Sequence, residues 1–282
     1  MPVAFIANLW TLVGHPSPAN EWSLERKLRA IADAGFDGIT TRLTPEHRRL
    51  AGKHGLKHLI GYISSSDPAE FAGRIREQKE GGALHINVQM DDHDTPPAVA
   101  AKHWLRMERE AEKIGGVIVS LEVHRDTCTE TPEKTYEIAD RYHAATGRLL
   151  KLNFDFSHIA CVKHLAPASY VERLLVHPEL VQHSEQAHFR PFNGHHCQVP
   201  VMHRGRLTPE VKDYLAFVVE FMRVWRAGAG NGERTLLACP EMGPYGAYNV
   251  TGFPPAWPDA IVLRGELAKA WSRSARAGAR RG

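Results

Sequence analysis

Apolar runs of eight to eleven residues recur along this chain, and stretches with apolar positions three and four apart separate them. The runs are VAFIANLWTLV (3–13), FDGITTRL (36–43), KHLIGYIS (57–64), ALHINVQM (83–90), GVIVSLEV (116–123), LLKLNFDF (149–156), LVQHSEQAHF (180–189) and TLLACPEM (235–242). Their β-branched and aromatic content marks them as strands. Residues 24–35, 67–82, 96–116 and 209–228 carry the clearest helical period among the intervening segments. Thr44, Asp67, Thr95, Thr131 and Thr208 each precede a proline. That pairing predicts a capped helix start, because the side chain accepts an orphan N–H and the proline lacks a donor the helix could not use. Gly35, Gly55, Gly81, Gly115, Gly147 and Gly228 suit helix ends.

Eight strands strictly alternating with helices imply parallel pairing through right-handed crossovers. The pattern predicts an α/β fold, a closed (β/α)8 TIM barrel, and no linker interrupts it, so residues 1–282 read as one domain. The irregular segments 189–207 and 242–258 follow the seventh and eighth strands. Both belong to the face on which barrels carry their functional loops.

Polar residues at the strand ends give that face its chemistry. Glu122, Asp155, His188 and Glu241 close the last four apolar runs. Strand ends of a barrel converge, and three converging carboxylates repel one another unless a cation lies between them. Oxygen ligands with one imidazole suit a single divalent metal ion, Mn²⁺ first, with Mg²⁺, Co²⁺ or Zn²⁺ as alternatives. His124, Arg125, His158 and Arg190 stand close to these four in sequence and are candidates to hold substrate oxygens. Asn87 and Gln89 alternate on the fourth strand, so both can point into the barrel, where filling layers is their expected role. Trp10, Tyr245 and Tyr248 are candidates for a wall against a sugar ring.

Composition narrows the partners. A chain that is 43% hydrophobic and 24% charged, with a net charge of +3, lacks the basic excess of a nucleic-acid binder. No apolar run reaches membrane-spanning length, and MPVAFIANLWTLVG has no basic region before its apolar residues, so it reads as a strand and not a signal peptide. Cys128, Cys161, Cys197 and Cys239 form no CxxC pair and fit reduced thiols in a cytoplasmic protein. The basic tail, about 273–282, reads as frayed, and no organic cofactor is expected. The glycine-rich stretch 228–232 follows a helix and precedes a strand, the reverse of a phosphate-binding loop.

The D-x-x-H of Asp155 and His158, the H-x-R of His188 and Arg190, the late Glu241 and SLERKLRAIADAGFDGI (23–39) together resemble the xylose isomerase-like TIM barrel superfamily, the sugar phosphate isomerases/epimerases. The resemblance spans essentially the whole chain. It implies a metal-dependent isomerase or epimerase of a small-molecule sugar or sugar derivative, acting through an enediolate. Glu122 and Glu241 would then ligate metal and exchange protons. Asp155 and His188 would complete the ligand set, while His158, Arg190 and Arg125 would bind substrate. A homo-oligomer, dimer or tetramer, is also implied. LEVHR (121–125), with a histidine two residues after the glutamate, is similar to a branch acting on oxidised glycosides. That likeness implies the alternative, a metal-dependent lyase or deglycosidase acting on 3-keto-glycosides, with His124 as the base. Endonuclease IV, of the same superfamily, requires a D-x-H after the seventh strand, where this chain has His188-Phe-Arg-Pro.

Overall fold

The computed structural model describes residues 2–228, 230 and 233–276. Eight parallel strands close into a barrel: β1 (Val3–Asn8), β2 (Gly38–Thr40), β3 (His58–Ser65), β4 (His85–Met90), β5 (Ile118–Glu122), β6 (Leu152–Phe154), β7 (Gln186–His188) and β10 (Leu236–Cys239). A short antiparallel hairpin, β8 (Met202–His203) and β9 (Arg206–Leu207), lies between the last two. β1 pairs with both β2 and β10, which closes the ring. The (β/α)8 architecture expected from the alternating pattern is therefore the one found.

The helices are α1 (Leu24–Asp33), α2 (Pro45–Lys53), α3 (Phe71–Glu80), α4 (Pro97–Ile114), α5 (Pro132–Thr146), α6 (Phe156–Val162), α7 (Tyr170–Leu174), α8 (Pro178–His183), α9 (Pro209–Arg226) and α10 (Ala256–Arg276). Neighbouring helices pack side by side, α3 on α4, α4 on α5, and α9 on α10. Strand alternation divides the core. On β4, Ile86, Val88 and Met90 join the large apolar layer beneath the helices, while Asn87 and Gln89 take the opposite face. Inside the barrel a small apolar plug of Ala4, Ile6, Ile60, Leu237 and Cys239 is buried. Gly38 is required where β2 meets β3, because a Cβ there would lie 1.9 Å from the His58 carbonyl oxygen.

Several local readings change. The first strand stops at Asn8, whose side-chain oxygen accepts the Trp10 N–H at 3.0 Å and turns Leu9–Leu12 into a 3₁₀ helix. The seventh is only Gln186–His188, since Pro178 starts a helix through His183. Thr44, Thr131 and Thr208 cap as expected. Asp67 and Thr95 do not: α3 begins at Phe71, and Pro96 stands at the N-cap of α4. Gly147 ends α5 in the left-handed conformation, φ 70°, whereas after α3 that role falls to Gly82 and not Gly81. Residues 273–276 continue α10 instead of fraying, and 277–282 lie outside the described residues, as do 229, 231 and 232 of the glycine-rich stretch. Among the described residues no helix is long and apolar enough to cross a membrane.

Candidate metal centre

Barrel geometry delivers four side chains to one point. Glu122 and His188 are the last residues of β5 and β7, Asp155 directly follows β6, and Glu241 stands two residues beyond β10. The four strands are consecutive in the sheet, so their ends are adjacent. One ligand atom from each of Glu122, Asp155, His188 and Glu241 lies within 4.8 Å of the others, and all four residues are buried. Asp155 also caps α6: its Oδ1 accepts the Ser157 N–H at 3.0 Å, which leaves Oδ2 facing the centre.

Amides hold the outer oxygens of both glutamates. Asn87 and Gln89 donate to Glu122 Oε2 at 2.7 and 2.9 Å, and Asn8 donates to Glu241 Oε1 at 2.6 Å. Asn153 supports Asn87 from below at 2.9 Å, and the Tyr62 hydroxyl donates to Gln89 at 2.7 Å. Asn87 and Gln89 thus orient a carboxylate instead of merely filling layers. The inner oxygens meet cationic partners. His188 Nδ1 lies 3.0 Å from Glu122 Oε1 and 3.1 Å from Glu241 Oε2. Arg190 Nη2 lies 2.6 Å from Glu241 and 3.2 Å from Asp155 Oδ2.

Electrostatics follow from this crowding. Burial opposes ionisation of Glu241, but Arg190 and His188 outweigh it and hold the carboxyl well below its ordinary value. For Asp155 burial is likewise overcome, by Arg190 and His158. Glu122 is lowered against its burial by His188, and His188 is raised well above its ordinary value against its burial by Glu241 and Glu122. The three carboxyls are thus held low by the cationic side chains already beside them. Among the described residues Asp155 Oδ2 and His188 Nδ1 are buried with ion-pair neighbours but no hydrogen-bonded partner, Arg190 and His158 beside the first and Glu122 and Glu241 beside the second. Buried polar atoms left in that condition around an oxygen-rich set fit coordination of a divalent cation.

A cavity of about 520 Å³ opens above the cluster, with Trp10, Tyr62, His124, Arg125 and Tyr248 among its walls. Glu122, His188, Arg190 and Glu241 line it from below. Arg125 is exposed at its mouth, its guanidinium 4.5 Å from the Tyr248 ring centre. His124 is half-buried, its ring 4.2 Å from that of His158. His158 itself is fully buried beside Asp155, Nε2 to Oδ2 3.4 Å, and is not among the residues lining the cavity. Burial pushes the His158 imidazole below its ordinary value despite the neighbouring carboxylate. Tyr245 is 73% exposed and outside the cavity, leaving Tyr248 as the aromatic wall of that loop. Asn8 and Tyr62, which line the cavity, were not singled out from the sequence. Asn8 offered one signal, a polar residue interrupting the apolar run 3–13.

No family model matches the chain, and no curated protein matches it. Solved structures match along nearly its whole length. A D-allulose 3-epimerase from Methylomonas sp. is 16% identical with a TM-score of 0.57, covering 97% of this chain and 98% of its own. A probable 3-DHS dehydratase, AsbF, from Bacillus anthracis is 14% identical with a TM-score of 0.56, covering 94% and 98%. A sugar phosphate isomerase/epimerase from Parabacteroides distasonis is 10% identical with a TM-score of 0.56, covering 98% and 95%. At these identities the likeness is one of fold, a (β/α)8 barrel over nearly the whole chain.

Proposed function

We propose that this chain is a divalent-metal-dependent isomerase or epimerase that moves a proton beside the carbonyl of a sugar or sugar derivative. The observation that carries this reading is the buried Glu122–Asp155–His188–Glu241 cluster, of which Glu122, His188 and Glu241 line the floor of the cavity. Two of the structural neighbours, the D-allulose 3-epimerase and the sugar phosphate isomerase/epimerase, support the choice of reaction and substrate class. Glu122, Asp155, His188 and Glu241 would hold the ion, Mn²⁺ first and Mg²⁺, Co²⁺ or Zn²⁺ as alternatives. When bound, it supplies Lewis-acid polarisation of the substrate carbonyl.

The chain's own residues handle the proton. Glu122 and Glu241 each keep one oxygen fixed by amides and turn the other toward the cluster. That leaves two oriented carboxylates at the cavity floor, one to take a proton from carbon and the other to return one. A positioned carboxylate acting as general base contributes about 10²–10⁴-fold. Arg190 offers fixed positive charge to the enediolate oxygens.

His124 supports a second reading. The Arg125 carbonyl oxygen lies 2.5 Å from His124 Nδ1 and can only accept, so Nδ1 carries the proton. In the neutral ring Nε2 is then a free base on the cavity wall. That arrangement suits abstraction of a proton beside the keto group of a 3-keto-glycoside, with elimination of the aglycone. The dehydratase among the structural neighbours is in keeping with elimination on this fold.

Proton NMR in D₂O tests both, with Mn²⁺-loaded protein over ketoses and 3-keto-glycosides. The first reading predicts deuterium at the carbon beside the carbonyl and an isomer formed, with Glu122→Gln and Glu241→Gln each slowing exchange about 100-fold or more. Aglycone release, lost in His124→Ala, selects the lyase. Neither event in any compound contradicts both.

A further inference from the structure

The loops after β7 and β10 are joined by one buried carboxamide. Gln198 is 3% exposed. Its Oε1 accepts the Gly243 N–H at 2.6 Å, and its Nε2 donates to the Gly243 carbonyl oxygen at 3.2 Å. Both ends of the side chain are thus spent on the backbone of a single residue, and that residue lies two positions after Glu241.

Gly243 has no room for a side chain. A Cβ there would lie 2.8 Å from Tyr248 atoms and 3.0 Å from Trp10, so the Tyr248 ring rests on bare backbone. The same ring lies 3.8 Å from the guanidinium carbon of Arg190, and Trp10 meets it edge-on at 5.6 Å. Arg190 reaches Glu241 and Asp155 through Nη2, while among the described residues its Nε and Nη1 are buried without hydrogen-bonded partners. A guanidinium tied at one nitrogen can swing about that tie. What fixes its plane is the aromatic face packed against it.

We propose that Gln198 is a positioning residue for Arg190, acting through Gly243 and Tyr248. The carboxamide sets the height of the Gly243 backbone, the backbone seats the Tyr248 ring, and the ring holds the Arg190 plane toward Glu241 and Asp155. Gln198 does not line the cavity, so its effect on the reaction is transmitted and not direct. Removing it frees the two buried backbone groups of Gly243 and unseats the loop.

The test uses the full chain and two readouts. The first is solvent exchange of the Arg190 Nε–H signal by ¹⁵N NMR, identified by its disappearance in Arg190→Lys. Gln198→Met, which keeps side-chain length and removes both hydrogen bonds, should speed that exchange about tenfold or more. The second rests on the proposed function: for a ketose turned over by the wild type, Gln198→Met should lower kcat about 10- to 100-fold with a smaller change in KM. In an Arg190→Lys background the same substitution should cost less than about threefold, because its route is already cut. Unchanged Arg190 exchange with only a lower melting temperature would reduce Gln198 to a structural tie and overturn the proposal, as would losses that multiply in the double variant. If the wild type acts on no ketose, the proposed function fails, and the Arg190 signal alone decides this inference. Should Gln198→Met not fold, Gln198→Asn, whose shorter side chain cannot span both Gly243 backbone groups, is read by the same exchange measurement.

Discussion

Glu122, Asp155, His188 and Glu241 could be picked out from sequence because each is a polar interruption at the end of an apolar run, where a buried charge needs a reason. Their amide supports were harder to see. Asn8 donates to Glu241 across 233 residues of chain, and nothing local to either position announces the other. His158 was visible by its spacing from Asp155, but its burial on α6 beside that carboxylate was not. A buried acid remote from the cluster gives a stability prediction. Asp259, in the first turn of α10, accepts the Val201 N–H at 2.7 Å. Burial pushes its carboxyl up from 3.8 to about 6, against the pull of the Val201 and Met202 backbone bonds. The folded state therefore holds this proton more tightly than the unfolded chain. Its stabilising contribution is complete below the unfolded value and is lost as pH rises through about 6. Asp259→Asn should flatten the decline of stability across that window in urea denaturation at stepped pH. A slope equal to wild type contradicts the assignment.

Elements were legible where one signal dominated. The long helices α4 and α9 carry an uninterrupted period, and threonine caps locate the starts of α2, α5 and α9. Ambiguity arose where apolar content outran strand length. Residues 180–183 look strand-like in composition, but Pro178 commits them to a helix, and residues 9–12 follow a side-chain turn at Asn8. Register is a tertiary property, and Gly38 shows how sharply it is set. It pairs with His58, whose carbonyl oxygen occupies the space of a Cβ. Gly38→Ala should cost about 3 kcal/mol or more, since backbone and not a flexible side chain must give way. A melting temperature matching wild type would show that β2 and β3 can part at this point without loss.

For the whole molecule, closure of the barrel converts four separate strand ends into one site. The order β1-β10-β7-β6-β5-β4-β3-β2 sets β5, β6, β7 and β10 side by side, so residues from Glu122 to Glu241 meet at one mouth. Alternation of strand and helix carried that topology in the sequence. The shape of the cavity above it was not carried, because its walls come from loops whose course depends on contacts such as Gln198 with Gly243. Isothermal titration of Mn²⁺ into the wild type, Asp155→Ala and His188→Ala tests the central claim most directly. One ion should bind per chain, and each substitution should weaken binding at least about 100-fold while circular dichroism shows the barrel intact. Equal Mn²⁺ affinity in all three proteins would contradict the metal centre.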